Sequence, residues 1–271
     1  MSRVWLVASG KGGVGKSTVS SCLAIAMTRL GRTVCVIDTD IGLRDQDLIL
    51  GLSDRIVYDL LDVCSCECTL DKALISSERY PGLSLLGAAQ MARSKELNAK
   101  MLSHVVRGLR KKFDEIFIDC PAGIERGLRN ILRCEIDGAI VVCTPDDVCI
   151  RDAERCAELL QSKGMPKPRV IVNRLIPDLI RCGEMYNAQT VADTLDLELL
   201  GEIHDDSAVY RALMTHRTTM DVECEAEKDI MRIARRMNGE TVELPHIGMN
   251  RLKWWQRLFH DDVERLKERR S

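Results

Sequence analysis

No segment constrains this chain more than Gly10-Lys11-Gly12-Gly13-Val14-Gly15-Lys16-Ser17, which fits the spacing G-x-x-x-x-G-K-[ST]. It follows a short apolar run, Val4 to Ala8, and opens a helical pattern, Ser17 to Leu30. A strand that turns through glycines into a helix aims a row of backbone N–H groups into one concave loop. The helix then adds the positive end of its dipole, so such a loop holds phosphate. Glycines at 10, 12, 13 and 15 keep side chains out of the way of that backbone. Lys16 is placed to reach the β- and γ-phosphates of a nucleotide and the Ser17 hydroxyl to ligate Mg²⁺, with Val14 and Thr18 completing the cofactor-binding run.

The rest of the chain repeats the strand-then-helix order. Thr33 to Ile37, Glu115 to Ile118, Ala139 to Cys143 and Arg169 to Val172 read as strands buried on both faces, and Leu83 to Leu86 and Leu199 to Ile203 as weaker ones. Helical patterns run over roughly Lys95 to Lys112, Val148 to Lys163, Gly183 to Leu195, Val209 to Thr215 and Glu225 to Asn238. The expected fold is α/β: a mostly parallel, twisted sheet of about seven or eight strands with helices on both faces. Residues 1–238 form the domain, residues 239–248 a linker where Pro245 and Gly248 punctuate the chain, and residues 249–271 an appended C-terminal helix and charged tail.

Composition narrows the class. The 271 residues are 45% hydrophobic and 30% charged, which is ordinary globular usage, and the net charge of -2 supplies no global field toward nucleic acid or membrane. Twelve cysteines in a chain able to build its own core read as small buried hydrophobes in a reducing cytosol. The opening apolar run is too short for a signal peptide, and no run approaches the roughly 18 residues of a membrane span. Cys64, Cys66 and Cys68 crowd together without a C-x-x-C pair or nearby histidines, so they are not read as a metal site.

Two acidic elements follow strands, at the sheet edge where open α/β sheets bind ligands. Asp38 and Asp40 stand after the second strand, and Asp119 with Gly123 after the Glu115 run. Beside a triphosphate these carboxylates are tolerable only with a cation or polarised water between. Asp119 and Asp38 are therefore the expected metal ligands with Ser17, and Asp40 the expected orienter of the attacking water. The plainer alternative for each aspartate is a strand-end cap.

A second lysine, Lys11, is one more than a simple phosphate loop needs. The pattern K-G-G-x-G-K-[ST] resembles the deviant Walker A family, and the stretches Asp38 to Leu48, Val57-Tyr58-Asp59, Asp119 to Glu125 and Ile150-Arg151-Asp152 resemble its septum-site-determining (ParA/MinD) branch. The resemblance runs from the first strand to about residue 238. It implies a slow, partner-stimulated ATPase that uses ATP/ADP and Mg²⁺, with Lys11, Lys16 and Asp40 catalytic, Lys11 acting in trans across a nucleotide-sandwich homodimer, and Gly123 donating its N–H to the γ-phosphate. It implies that Asn173 reads adenine. A second base-contacting loop usually carries proline where this chain has His204, which is read here as a surface loop histidine. The helix from Asp147 to Leu160, with Arg151, Asp152 and Glu154 expected exposed, corresponds to the family's face for the division inhibitor MinC and for MinE or a polar-anchor equivalent. Cytoplasmic residence with ADP and peripheral attachment to the inner face of the cell membrane with ATP complete the implication.

The tail agrees. Leu252, Trp255, Leu258 and Phe259 share a helical face with Trp254 at its margin, and Arg251, Lys253 and Arg257 add three cations with no acid among residues 251–259. Such a helix lies in the headgroup region of anionic lipid. A ParA-like DNA-partition ATPase fits the near-neutral charge and this tail less well, so no nucleic-acid partner is expected. A flagellar-number regulator similar to FlhG shares the fold and the membrane helix but is expected to carry an N-terminal extension. An iron–sulfur carrier similar to Mrp requires a C-x-x-C that this sequence lacks.

Overall fold

Along every central strand the side chains divide by parity between two cores, which is what a sheet covered on both faces demands. The computed structural model describes residues 2–42, 44–89, 99–121, 123 and 131–249. In β1 (Arg3–Ala8), Val4, Leu6 and Ala8 face one core while Trp5 and Val7 face the other. The same split separates Cys35 and Ile37 from Val34 and Val36 in β2 (Val34–Asp38), and Ile116 and Ile118 from Phe117 in β5 (Glu115–Asp119).

With β3 (Ile75–Ser76), β4 (Leu83–Leu86), β6 (Gly138–Cys143), β7 (Arg169–Leu175) and β8 (Glu198–His204), these strands form one sheet in the order β3-β4-β2-β5-β1-β6-β7-β8. All neighbours are parallel except the short edge strand β3, which runs antiparallel to β4. The α/β expectation of about seven or eight strands is therefore met. The two-residue β3 is too short to show any alternation in sequence.

Helix α1 (Lys16–Arg29) is buried from Val19 to Met27 and packs centrally on the sheet. Among the described residues it is followed by α2 (Asp45–Leu50), α3 (Leu60–Cys64), α4 (Leu70–Ala73), α5 (Ala99–Leu109), α6 (Asp147–Ser162), α7 (Pro177–Arg181), α8 (Ala188–Thr194), α9 (Ser207–Met214) and α10 (Glu225–Met237). The expected helix from Gly183 begins later, at Ala188, because Asn187 caps it through the Thr190 N–H. Gly183 instead closes α7 with φ +76°.

Residues 240–246 have no regular structure, yet they are fastened to the domain. The buried Glu202 carboxylate accepts the backbone N–H groups of His246 (2.6 Å) and Ile247 (3.1 Å), and Ile247 enters the core. Gly248 lies so close to α7 that a Cβ there would stand 2.6 Å from Ile180 Cβ. Leu252, Trp254, Trp255, Leu258 and Phe259, expected to form a membrane face, lie outside the described residues.

Candidate active site

The glycine loop leaves β1 at the carboxyl edge of the sheet and enters α1 through Gly15, whose φ of +90° only glycine adopts without strain. Gly10 is demanded by proximity instead, since a Cβ there would lie 2.1 Å from the carbonyl oxygen of Asp152 on α6. Asp152, expected to be exposed, is for that reason half-buried against the loop, while Arg151 and Glu154 are exposed.

Lys16 is buried at the start of α1. Its Nζ donates to Asp119 Oδ1 at 2.9 Å and to Ser17 Oγ at 3.2 Å. Parallel pairing places Asp38 beside Asp119 at the ends of β2 and β5, and Thr39 ties the two strands by donating its Oγ1 to the Asp119 carbonyl at 2.6 Å. Asp38 accepts the backbone N–H of Asp40 at 2.9 Å and that of Gln46 at 3.3 Å. Burial pushes the Asp38 carboxyl up to about 7, the two backbone donors and Lys16 opposing and Asp119 reinforcing the shift. Burial also raises Asp40, against the pull of Lys16.

The two aspartates of this loop thus divide their work. Asp38 is the one that caps backbone groups, whereas the half-buried Asp40 carboxylate has no hydrogen-bond partner among the described residues. Lys11 is exposed and electrostatically coupled to Asp146 at the start of α6. Gly123 has φ +88°. Asn173, at the end of β7, donates Nδ2 to the Val14 carbonyl at 2.8 Å, which fastens it to the phosphate loop.

Gln46 had no role in the sequence reading. Fully buried at the head of α2, it donates Nε2 to Asp119 Oδ2 (2.9 Å) and to the Ser17 carbonyl (3.1 Å), and accepts from the Ser21 hydroxyl. One amide therefore joins the loop helix, the Asp119 strand and, through its backbone N–H, Asp38. The available signal was its place inside the Asp38 to Leu48 stretch.

His204 is not a free surface loop histidine. It ends β8 with Nδ1 2.6 Å from Oδ2 of the fully buried Asp229, and its backbone N–H donates to the same oxygen at 3.0 Å. That side-chain hydrogen bond raises the imidazole above its ordinary value, with burial opposing.

Ser17, Asp38 and Asp119 present hydroxyl and carboxylate oxygens, the hard donors that Mg²⁺ prefers, beside a backbone cradle shaped for phosphate. The residues fit a magnesium nucleotide. A family model described as ParA, NUBPL iron-transfer P-loop NTPase, matches residues 1–238. The septum site-determining protein MinD of Synechocystis is 45% identical over 209 residues, 77% of this chain and 78% of that protein. The chain belongs to the MinD family of septum-site-determining P-loop ATPases. MinD of Bacillus subtilis is 39% identical over 247 residues, 90% of this chain and 92% of its own. The MinC:MinD complex of Aquifex aeolicus superposes with a TM-score of 0.84 at 34% identity, covering 92% of this chain and 100% of that one. MinD of Pyrococcus horikoshii, solved with Mg-ADP, superposes at 0.78 with 26% identity, covering 88% and 96%. Among the described residues of this MinD-family ATPase no helix is long and apolar enough to cross a membrane.

Proposed function

We propose that this chain is an ATP-driven dimerisation switch that attaches to the membrane and positions the division septum by recruiting a division inhibitor there. The observation that carries this reading is the buried Lys16–Asp119–Gln46 network beneath the glycine loop, with the Asp40 carboxylate beside it unpartnered among the described residues.

Each group then has a task. The N–H groups of Gly10 to Thr18 cradle the phosphates, and Lys16 exchanges Asp119 for phosphate oxygen. Ser17, Asp38 and Asp119 would hold Mg²⁺, which neutralises phosphate charge when bound. Asp40 orients the attacking water, Gly123 donates to the γ-phosphate, and Asn173 reads the base. Lys11 serves a second copy, consistent with its exposure beside α6 and with the exposed apolar Val148 on the same helix. Tyr186 is also exposed, and Asp147 at the start of α6 raises its phenol above the ordinary value.

The MinC partner of the Aquifex relative suggests the same class of partner for α6, whose exposed Arg151 and Glu154 offer charged contacts, with MinE or a polar anchor as the releasing factor. Two copies present two tails at once, which turns a weak single-helix contact into stable attachment. An iron-carrier role finds no C-x-x-C in the chain.

The test is co-sedimentation with anionic phospholipid vesicles. The full chain should pellet with ATP and Mg²⁺, remain soluble with ADP, and lose binding when ended at Gly248. Equal pelleting in both nucleotides, or by the truncated chain, would overturn the switch.

A further inference from the structure

A cavity opens beside the phosphate loop, with Gly15, Thr18, Val209 and Leu213 in its wall and Asn173, Arg174, His204, Asp205 and Asp206 among its polar lining. Its volume is about 70 Å³, a small slot between apolar walls that borders the phosphate loop. Asn173 is partly engaged, and its remaining Nδ2–H suits a ring nitrogen of the base, a contact that ATP and an amine-free purine share. Its Nδ2 bonds the Val14 carbonyl, and its Oδ1 accepts the N–H of Arg174 at 3.0 Å. The neighbouring carboxylates are also engaged, Asp205 by the Tyr210 hydroxyl and Asp206 by the backbone of Ala208 and Glu225. His204 differs. Nδ1 is fixed on Asp229, and Nε2 has no partner among the described residues.

We propose that His204 determines nucleobase specificity: its ring, locked through Nδ1–H on Asp229, offers Nε2 as the acceptor for the exocyclic amine of adenine. This rests on the reading of the chain as an ATP-binding switch. The tautomer follows from the partner, because an ionised carboxylate can only accept, so Nδ1 keeps its proton and donates it, and the Nε2 lone pair is left free. A guanine, with a carbonyl in place of the amine, would set two acceptors against each other.

Protonation reverses the role, since an imidazolium presents Nε2–H toward an amine. Asp229 and Glu225 from α10 and Glu202 from β8 favour the charged ring, whereas burial opposes it and Arg232 shares Asp229 through Oδ1 at 2.7 Å. Discrimination for the amine is therefore greatest at alkaline pH and fades as the pH falls through the histidine's raised value.

Calorimetric titration of the full chain with Mg²⁺ should compare ATP with purine riboside triphosphate, which lacks only the amine. The ratio of the two affinities cancels phosphate binding and long-range charge. The wild type should prefer ATP by about tenfold at pH 8.5, as one hydrogen bond allows, and the ratio should approach one at pH 6. His204→Ala should show no preference at either pH, and His204→Gln, whose Oε1 is an acceptor at every pH, should keep one that does not titrate. A wild-type ratio near one at pH 8.5, a ratio unchanged at pH 6, or a preference surviving in His204→Ala would each overturn the role of His204 while leaving ATP binding intact. Failure of both triphosphates to bind the wild type would take down the ATP reading and this inference together. If His204→Ala does not fold, the wild-type ratios and the His204→Gln profile decide by themselves.

Discussion

Lys11 and Lys16 occupy one loop in opposite surroundings, one in solvent and the other sealed against Asp119. Lys16→Ala removes the cation that meets the phosphates and should abolish ATP binding. Lys11→Ala should retain binding and lose dimerisation and turnover, read by calorimetry beside analytical ultracentrifugation. Equal losses of affinity in both variants would make Lys11 an ordinary loop residue. Gln46→Leu keeps the volume but removes the donor to Asp119 Oδ2 and the Ser17 carbonyl and the acceptor of the Ser21 hydroxyl. It should cost about 1–3 kcal/mol in denaturant unfolding and depress turnover as well. The lysines and aspartates were legible because their spacing alone carries chemistry. Gln46 and His204 were not, because their meaning lies in partners 73 and 25 residues away, Asp119 and Asp229. A polar residue earns such a role only when tertiary packing buries it beside another, and no local pattern records that.

Among elements, legibility followed burial. The strands buried on both faces announced themselves as unbroken apolar runs, whereas α2, α3, α4 and α7 span only four to six residues each, less than two helical turns, and escaped the periodic reading. Close approaches between elements are equally silent in sequence. Gly201 on β8 lets α10 settle onto the sheet, for a Cβ there would stand 2.2 Å from Ile233 Cγ1. Gly201→Ala should therefore push α10 outward and destabilise the fold by about 1–3 kcal/mol in urea melts. A variant as stable as the parent would show that α10 repacks freely.

At the scale of the whole molecule, the charge balance of -2 leaves any attraction to anionic lipid to local segments, and in the tail three cations accompany the apolar residues expected to share a helical face. Trp255→Glu places a charge in that face. Vesicle binding with ATP should drop by an order of magnitude or more, roughly the value of one large buried side chain in each of two tails, and wild-type binding should weaken as salt rises. Unchanged binding by the Trp255→Glu chain would assign the tail to packing on its own domain.

The Glu202 clamp on His246 and Ile247 has a mechanical side. It converts residues 239–248 from slack cord into a bracket bolted to β8, so any free connection to the tail starts only after Gly248. Leu252 follows four residues later, a reach of at most about 14 Å at full extension. On the proposed reading, two such short moorings on one dimer would leave it little room to roll or rise. The bilayer would hold the pair in one attitude, and the face open to a partner would be set by where the ropes are tied.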